Sequence, residues 1–422
     1  MALATSRGSS ATPPRFRILT AQAGVYRVPF ESVAAAGHGP GGIASASLAL
    51  SSGGRPVPMA IEDGGDATFG PGDHLEFVAP LLHGEASYHH EIAAASVYWL
   101  ESSEGGARIE DVPAVAGAEP AATLERRIHL EEDRVMIRLS TRDRVEAAPP
   151  ELWFWSKLTH LAEPLRLPLD LADLDVGGGG RLELVASFRG LSDQFRSTRP
   201  GREDLAPDHT VAVFLADRYL GKATWNGRRV GGFTGRPQPA AALRPGPAEL
   251  VLRVPRRASA TSREPIVDVV MLDWIELRYP HDGEVRPGQV ELWIGEDAAP
   301  AIELSAPAGA APAVYTDTGR RVRLAGSTAD SPLLRLPRAA LSESFWLVQG
   351  PLLEPAAVER DEPSDWASPD QQADYLMIAH SRLRPETERL AAFHRGRGLA
   401  VAVADVQDLY DEFNHGVPHH RA

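Results

Sequence analysis

A glycine-rich acidic stretch at residues 62–73 carries the residue types that bind a hard cation. Asp63, Asp66 and Asp73 lie in this stretch, and their carboxylates supply the oxygen ligands that Ca²⁺ takes in proteins. The spacing differs from that of an EF-hand loop, and alternating Gly and Asp are also typical of two consecutive β-turns. The sequence therefore predicts either a calcium site at Asp63, Asp66 and Asp73 or a pair of turns, and it indicates no other cofactor.

Two tryptophans are candidates for contact with a sugar ring. Trp225 precedes Asn226 and Gly227, and Trp274 lies within the apolar run at residues 267–279. An indole offers a flat apolar face, but large aromatic side chains in β-sandwiches are mostly buried. Trp225 and Trp274 are therefore predicted either to contact a glycan or to belong to the core.

The chain contains no cysteine, and this absence limits its chemistry. Disulfides, thiolate metal sites and a thiol nucleophile are excluded. No Gly-x-Ser-x-Gly motif replaces the thiol, since Ser192 follows a predicted strand in what the sequence indicates to be a turn. We therefore predict no catalytic residue in this chain.

Composition sets further bounds. A length of 422 residues favours roughly two to four domains, and a hydrophobic fraction of 43% is ordinary for globular proteins. The net charge of −14 argues against a nucleic-acid surface, which needs clustered Lys and Arg. No run reaches the roughly twenty apolar residues of a membrane span, and residues 1–10 show no apolar core of a signal peptide.

Most of the chain is predicted to be β-rich. Short apolar runs with strand-like alternation follow one another without helices, which is typical of β-sandwiches. We expect the following organisation: residues 1–15 a flexible N-terminus, 16–150 a β-rich domain, 151–284 a jelly-roll-like β-sandwich, 285–353 a β-rich segment that either completes the first domain or forms a third sandwich, and 354–370 a linker.

Residues 371–422 have a different pattern, that of a βαβα unit with parallel strands. Apolar runs at residues 375–379 and 399–404 predict buried strands, and residues 384–395 have apolar side chains at helical spacing. Pro385 suits the first turn of this helix, and Gly396 or Gly398 suits its left-handed end. Asp405 is placed to cap a second helix.

This last unit resembles the opening of the catalytic domain of the gingipain family of cysteine peptidases. The resemblance rests on residues 374–380, 393–406 and 409–418. It implies the start of a caspase-like α/β domain, a His and Cys dyad that would come later in such a domain, and a secreted or cell-surface location. The fold class is thus predicted to be mainly β, with multi-domain β-sandwich or jelly-roll modules before an incomplete caspase-like βαβα unit.

Two functions are consistent with these patterns. The first is the non-catalytic N-terminal portion of a gingipain-like cysteine endopeptidase, a prodomain or positioning module whose partner is the remainder of the catalytic domain. The second is a β-sandwich protein that binds a glycan or another surface and carries a vestigial peptidase segment. In either case we expect the last fifty residues, with their two-stranded parallel unit, to be either poorly ordered or placed only by packing on a neighbour, because parallel sheets are normally covered on both faces.

Overall fold

The computed structural model describes residues 14–84, 87–103, 105–113, 121–138, 152–193, 207–258, 263, 265–296, 299–324 and 333–420. Strands dominate this part of the chain, and a small α/β unit follows them. The mainly-β prediction is therefore confirmed. Among the described residues, no helix is both long and apolar enough to cross a membrane.

The first β unit comprises the described residues between 14 and 113, together with one late strand, Ala357–Arg360. Its sheets run in the orders β29-β1-β9-β4-β5 and β2-β8-β6, and a shared apolar core includes Phe16, Ile18 and Phe77. Side chains of β1 are buried at every second position because successive side chains of a strand point to opposite faces. Its elements are β1 Arg15–Thr20, β2 Gly24–Pro29, α1 Phe30–Val33, β3 Ile43–Ala44, β4 Leu48–Ser52, β5 Arg55–Pro56, β6 Met59–Glu62, β7 Thr68–Phe69, β8 His74–Ala79, β9 Ser96–Ser102, β10 Glu110–Asp111 and the late β29 Ala357–Arg360.

The second β unit comprises the described residues between 121 and 281. A four-stranded sheet in the order β15-β21-β17-β18 contributes to a single apolar core with β16, β19 and β22. Such a two-layer arrangement buries one face of each sheet. Its strands are β11 Leu124–Glu131, β12 Val135–Met136, β13 Trp153–Phe154, β14 Ser156–Thr159, β15 Leu165–Asp170, β16 Arg181–Gly190, β17 His209–Leu215, β18 Arg218–Trp225, β19 Val230–Thr234, β20 Gln238–Pro239, β21 Pro247–Arg253 and β22 Val269–His281.

One sequence interpretation is wrong within this unit. The alternation on either side of residues 131–133 predicts that the two flanking segments pair as a hairpin, but β11 pairs with β22 and with a later strand, β23 (Gly288–Ile294), and β12 pairs with β13. Leu124 is buried, and Ile128 and Leu130 pack on the core of the second unit. Burial against the long strand β22 therefore outweighs pairing with the nearest strand in sequence.

The third β unit comprises the described residues between 283 and 349. Its strands β26, β25, β28 and β23 continue directly into β11, β22, β16 and β19 as one shared sheet. The pair β24 and β27 contributes to a separate core with Leu292, Val314 and Phe345. Its strands are β23 Gly288–Ile294, β24 Ala301–Ser305, β25 Ala313–Tyr315, β26 Arg320–Arg323, β27 Leu333–Pro337 and β28 Ser344–Gln349.

The α/β unit comprises residues 374–418. Its elements are β30 Tyr375–Ala379, α2 Arg384–Arg395, β31 Val401–Asp405 and α3 Val406–Phe413, and the two strands are parallel, as predicted. Pro385 lies in the first turn of α2, and Gly398 has a φ of +90°. The Asp405 carboxylate accepts a hydrogen bond from the Gln407 amide at 2.9 Å and so caps α3.

Candidate functional site

The α/β unit docks on the first β unit through α3 and the turn at residues 414–417. The indole Nε1 of Trp99, on β9, donates a hydrogen bond to the backbone oxygen of His415 at 2.8 Å. Trp99 is 1% exposed, and the guanidinium carbon of Arg15 lies 3.6 Å from the centroid of its ring. A buried indole usually needs a partner for its N–H, and the α/β unit supplies that partner.

Gly416 makes this approach possible. Its φ is +90°, and an added Cβ would lie 2.8 Å from Val97 Cγ1 and 3.0 Å from Trp99 Cζ2. A non-glycine residue at position 416 would therefore adopt a strained backbone conformation, and its Cβ would clash with Val97 and Trp99. On the other side of the contact, a Cβ on Gly54 would lie 2.7 Å from His415 Cε1. We call the surface formed by Trp99, Gly54 and residues 414–417 the docking interface.

Charged groups border the docking interface. Arg17 on β1 donates to Asp411 on α3 at 3.2 Å and also pairs with Glu359. Burial raises the pKa of Asp411, although the Gln407 amide and Arg17 work in the opposite direction. Burial likewise raises the pKa of Asp361 and of Asp408. Several carboxyl groups are therefore partly withdrawn from water where the two units meet.

Glu412 ties the preceding segment to α3. Its carboxylate accepts hydrogen bonds from the Ser364 hydroxyl, from the Trp366 amide at 2.9 Å and from the Ala367 amide at 2.8 Å. Burial alone would raise the pKa of Glu412, but these hydrogen bonds outweigh it and lower the pKa below its ordinary value. Part of the segment predicted to be a linker is thus held against α3.

The carboxyl ends of β30 and β31 carry one polar side chain each. In a parallel sheet this edge is where ligands normally approach. His380 Nδ1 accepts a hydrogen bond from the Arg382 amide at 3.1 Å, and Asp405 caps α3. Both side chains are therefore used to begin helical turns, and the chain has no cysteine to pair with a base.

The α/β unit also exposes apolar surface away from the docking interface. Leu376 and Ile378 on one face of β30 are 49% and 56% exposed. Leu383, which immediately precedes α2, and Leu390 and Phe393 on α2 are exposed as well. A parallel sheet is normally covered on both faces, so this surface has the character of an interior that further structure would cover.

The residues predicted to bind calcium make local turn contacts. Asp63 accepts hydrogen bonds from the Ser45 hydroxyl at 2.6 Å and the Gly65 amide at 3.0 Å, and these contacts lower its pKa. Asp66 accepts from the Thr68 amide at 2.8 Å, and Asp73 from the Gly70 amide at 2.6 Å. Within the described ranges, no group of three or more His, Cys, Asp or Glu is arranged to hold a metal ion. These contacts favour the turn interpretation.

A calcium titration separates the two interpretations. If the carboxylates serve only the turns, added Ca²⁺ leaves the melting temperature unchanged, and changing Asp63 and Asp66 to Ala costs about 1 kcal/mol for each lost hydrogen bond. The measurement is the melting temperature with Ca²⁺ or with a chelator. A rise in the wild type that the double variant loses would establish a calcium site instead.

Trp225 and Trp274 lie in different surroundings. Trp225 is 9% exposed, its ring centroid is 6.0 Å from that of Phe188, and its Nε1 donates to the Arg229 oxygen at 3.2 Å. It therefore belongs to the core of the second β unit and presents no free ring face. Trp274 is half-buried, with its ring 5.7 Å from that of His129.

A cleft of about 1040 Å³ lies between the first β unit and the shared sheet. Residues from all three β units line it, including Arg55, Tyr88, His129, Glu276 and Trp346. No motif in the sequence indicates this cleft, because its walls come from segments that are hundreds of residues apart.

Comparisons with known proteins bear on the α/β unit and on the whole fold. Residues 368–422 match the model of peptidase family C25, and this confirms the resemblance to the gingipain family. The crystal structure of dimeric latent PorU from Porphyromonas gingivalis matches with a TM-score of 0.59 and 12% identity. That match covers 97% of this chain, which spans 38% of the PorU chain. It shows a shared fold.

Other solved structures match more weakly. A CBM36-1 domain of a multidomain xylanase from the hindgut metagenome of Trinervitermes trinervoides has 9% identity and a TM-score of 0.21, with 36% of this chain and 95% of that chain covered. An uncultured Clostridium sp. β-glucuronidase has 8% identity and a TM-score of 0.20, with 58% and 46% covered. Neither value is high enough to bear on the fold or the function. No curated protein matches the chain.

Proposed function

From the C25 segment at residues 368–422 and the fold shared with PorU, we propose that this chain is the non-catalytic N-terminal portion of a gingipain-like cysteine endopeptidase. In this role the β units hold the opening of the catalytic domain in place, as a prodomain or positioning module. The partner is the remainder of that α/β domain. The absence of cysteine supports a role in which this portion performs no cleavage itself.

The docking interface is the observation that carries this proposal. The first β unit holds α3 by one hydrogen bond from a buried indole, by the ion pair between Arg17 and Asp411, and by the close approach at Gly416. The exposed Leu376 and Ile378 then point the same small unit toward further structure. A segment that is fixed on one side and apolar on the other suits the first part of a larger domain.

The purified chain is expected to be inert as a peptidase. A thiolate nucleophile is required for the C25 type of chemistry, and the sequence has none. Casein digestion by the chain should not exceed the background, with an active cysteine peptidase as the positive control. Cleavage that co-purifies with the chain and persists in the presence of a cysteine-directed inhibitor would contradict the proposal.

Export to the cell surface or the medium forms part of the same proposal. The family resemblance supports it, because gingipain-like peptidases act outside the cell. Fractionation of the source cells, followed by detection with an antiserum against the chain, tests this location. Recovery only from the fraction that contains the cell interior would contradict it.

A further inference from the structure

Residues 281–286, which we call the junction segment, join the second β unit to the third. On one side, the Asp282 amide donates a hydrogen bond to the backbone oxygen of Asp173, in the second unit, at 3.0 Å. On the other side, the Val285 amide donates to the backbone oxygen of Ser305, the last residue of β24, at 2.7 Å. The junction segment is therefore hydrogen-bonded to both units at once.

A buried histidine stands at the start of the junction segment. His281 is the last residue of β22, and its side chain is 2% exposed. Its Nδ1 accepts a hydrogen bond from the Gly283 amide at 3.0 Å. A ring nitrogen that accepts carries no proton, so this contact requires the neutral imidazole with its single proton on Nε2. Nε2 in turn faces the Asp173 carboxylate at 3.7 Å. The junction segment is therefore built around the uncharged form of one histidine.

The surroundings of the His281 ring favour this uncharged form. Burial lowers the pKa of His281 below its ordinary value of 6.5, because the charged ring would lose its water. The carboxylates of Asp173 and Asp282 act in the opposite direction, whereas the guanidinium groups of Arg286 and, from β11, of Arg126 act with burial. Arg286 also donates to the Asp282 carboxylate at 2.8 Å and 2.6 Å, so this carboxylate already has a cationic partner.

Protonation of His281 would place two hydrogen-bond donors against each other. The new proton on Nδ1 would face the Gly283 N–H, and a buried amide that loses its acceptor is costly. The Gly283 backbone is already close to β24, since its φ is +75° and an added Cβ would lie 3.0 Å from the backbone oxygen of Glu303. Because the ring is enclosed and this backbone is packed on β24, relief of the repulsion requires that the junction segment moves.

We propose that the junction segment is a pH-sensitive switch between the second and third β units. In neutral solution the uncharged His281 holds the Gly283 amide, and residues 283–285 pair with β24. In mildly acidic solution the charged ring releases this amide, and the pairing with β24 opens. Stabilisation by the neutral ring is complete above pH 6.5 and is lost as the pH falls from there through the lowered pKa of His281. This inference is independent of the proposed peptidase-module function, since the junction segment and the docking interface are separate.

Hydrogen exchange of the full chain at about pH 7.5 and about pH 5 tests the switch. Each rate is compared with that of a free peptide at the same pH, because the exchange chemistry itself depends on pH. We expect the protection of residues 281–287 and 301–306 to fall at least about tenfold at the lower pH, while residues 270–277 of β22 keep theirs. Unchanged or greater protection of the junction segment at the lower pH, or an equal loss in β22, would overturn the proposal.

His281→Asn removes the titrating group and keeps an acceptor. An Asn side chain accepts from the amide two residues later and does not titrate, so protection of the junction segment should change less than about twofold between the two pH values. His380→Asn is the matched control, because His380 Nδ1 accepts from the Arg382 amide at 3.1 Å in the same arrangement, but on an exposed residue. This control should keep the wild-type response of the junction segment. A wild-type response in His281→Asn would overturn the assignment to His281.

Asp173→Asn tests the switch without altering the histidine. Burial lowers the pKa of His281, and the Asp173 carboxylate partly offsets this effect. Without that carboxylate the pKa should fall further, so the loss of protection should occur at a lower pH than in the wild type. Asn keeps an acceptor for the Tyr279 hydroxyl, which donates to Asp173 at 2.9 Å. The same pH midpoint in the variant and the wild type would show that another group titrates and would overturn the proposal.

Discussion

Gly416→Ala is expected to release the α/β unit from the first β unit. The added methyl group would lie 2.8 Å from Val97 and 3.0 Å from Trp99, at a φ of +90°. Overpacking costs about 1–3 kcal/mol, and left-handed strain at a non-glycine residue adds about 1–2 kcal/mol. Both costs disappear when the unit moves away and residue 416 is free to change conformation, so the variant favours the undocked state.

Gly398→Ala is the matched control for this prediction. Gly398 has the same φ of +90° in the same unit, but an added Cβ there meets nothing within 4 Å. Trypsin cleavage at the arginines between residues 382 and 397 should become at least about tenfold faster in Gly416→Ala than in Gly398→Ala, which corresponds to about 1.4 kcal/mol of docking energy. Equal rates in the two variants would mean that only backbone strain, and no docking contact, acts at residue 416.

Arg321→Met is expected to destabilise the junction between the first and third β units by about 3–5 kcal/mol, the range for a buried pair that loses one partner. The Arg321 side chain is 4% exposed and pairs with Glu76 at 2.6 Å, with Glu62 at 2.8 Å and with Asp111 at 2.6 Å. Glu76 is itself 7% exposed and would be left as a buried charge. Urea unfolding monitored by tryptophan fluorescence measures the loss.

Arg323→Met is the control for Arg321. Arg323 also pairs with Glu62, but its side chain is 54% exposed. Exposed pairs contribute about 0–1 kcal/mol, so the Arg323→Met variant should unfold nearly as the wild type does. Losses of the same size in both variants would contradict a special role for the buried guanidinium.

The pH dependence of the Arg321 contribution has a defined sign. Hydrogen bonds from Arg321 lower the pKa of Asp111 from its ordinary value of 3.8. Because the pKa of Asp111 is depressed in the folded state, the stabilisation of the fold by the pair of Asp111 and Arg321 is present above pH 3.8. It is lost as the pH falls through the lowered pKa. The difference in the free energy of unfolding between the wild type and Arg321→Met should therefore become smaller below about pH 4. A difference that grows on acidification would contradict this linkage.

The elements that the sequence predicted well depend on local contacts. Asp405 caps α3, Pro385 lies in the first turn of α2, and Gly398 follows α2 in a left-handed conformation. Each of these roles is decided by interactions within a few residues of the chain. The βαβα order also follows from hydrophobic spacing, which is a local pattern.

The features that the sequence did not predict depend on distant pairing. β11 pairs with β22 and β23, about 150 residues away, so the hairpin expected around residues 131–133 does not form. The shared sheet and the cleft arise from the same long-range pairing. Trp225 could not be assigned from sequence either, since only the stack with Phe188 shows which way its ring faces.

The central claim is that the first β unit holds the opening of a C25 catalytic domain. Hydrogen exchange of the wild-type chain tests this claim most directly. The peptides to follow cover β9 and residues 406–417, which meet at Trp99 and His415. A docked unit predicts slow exchange in both peptides. Exchange of residues 406–417 at the rate of a free peptide, while β9 stays protected, would show that the β units do not position the α/β unit.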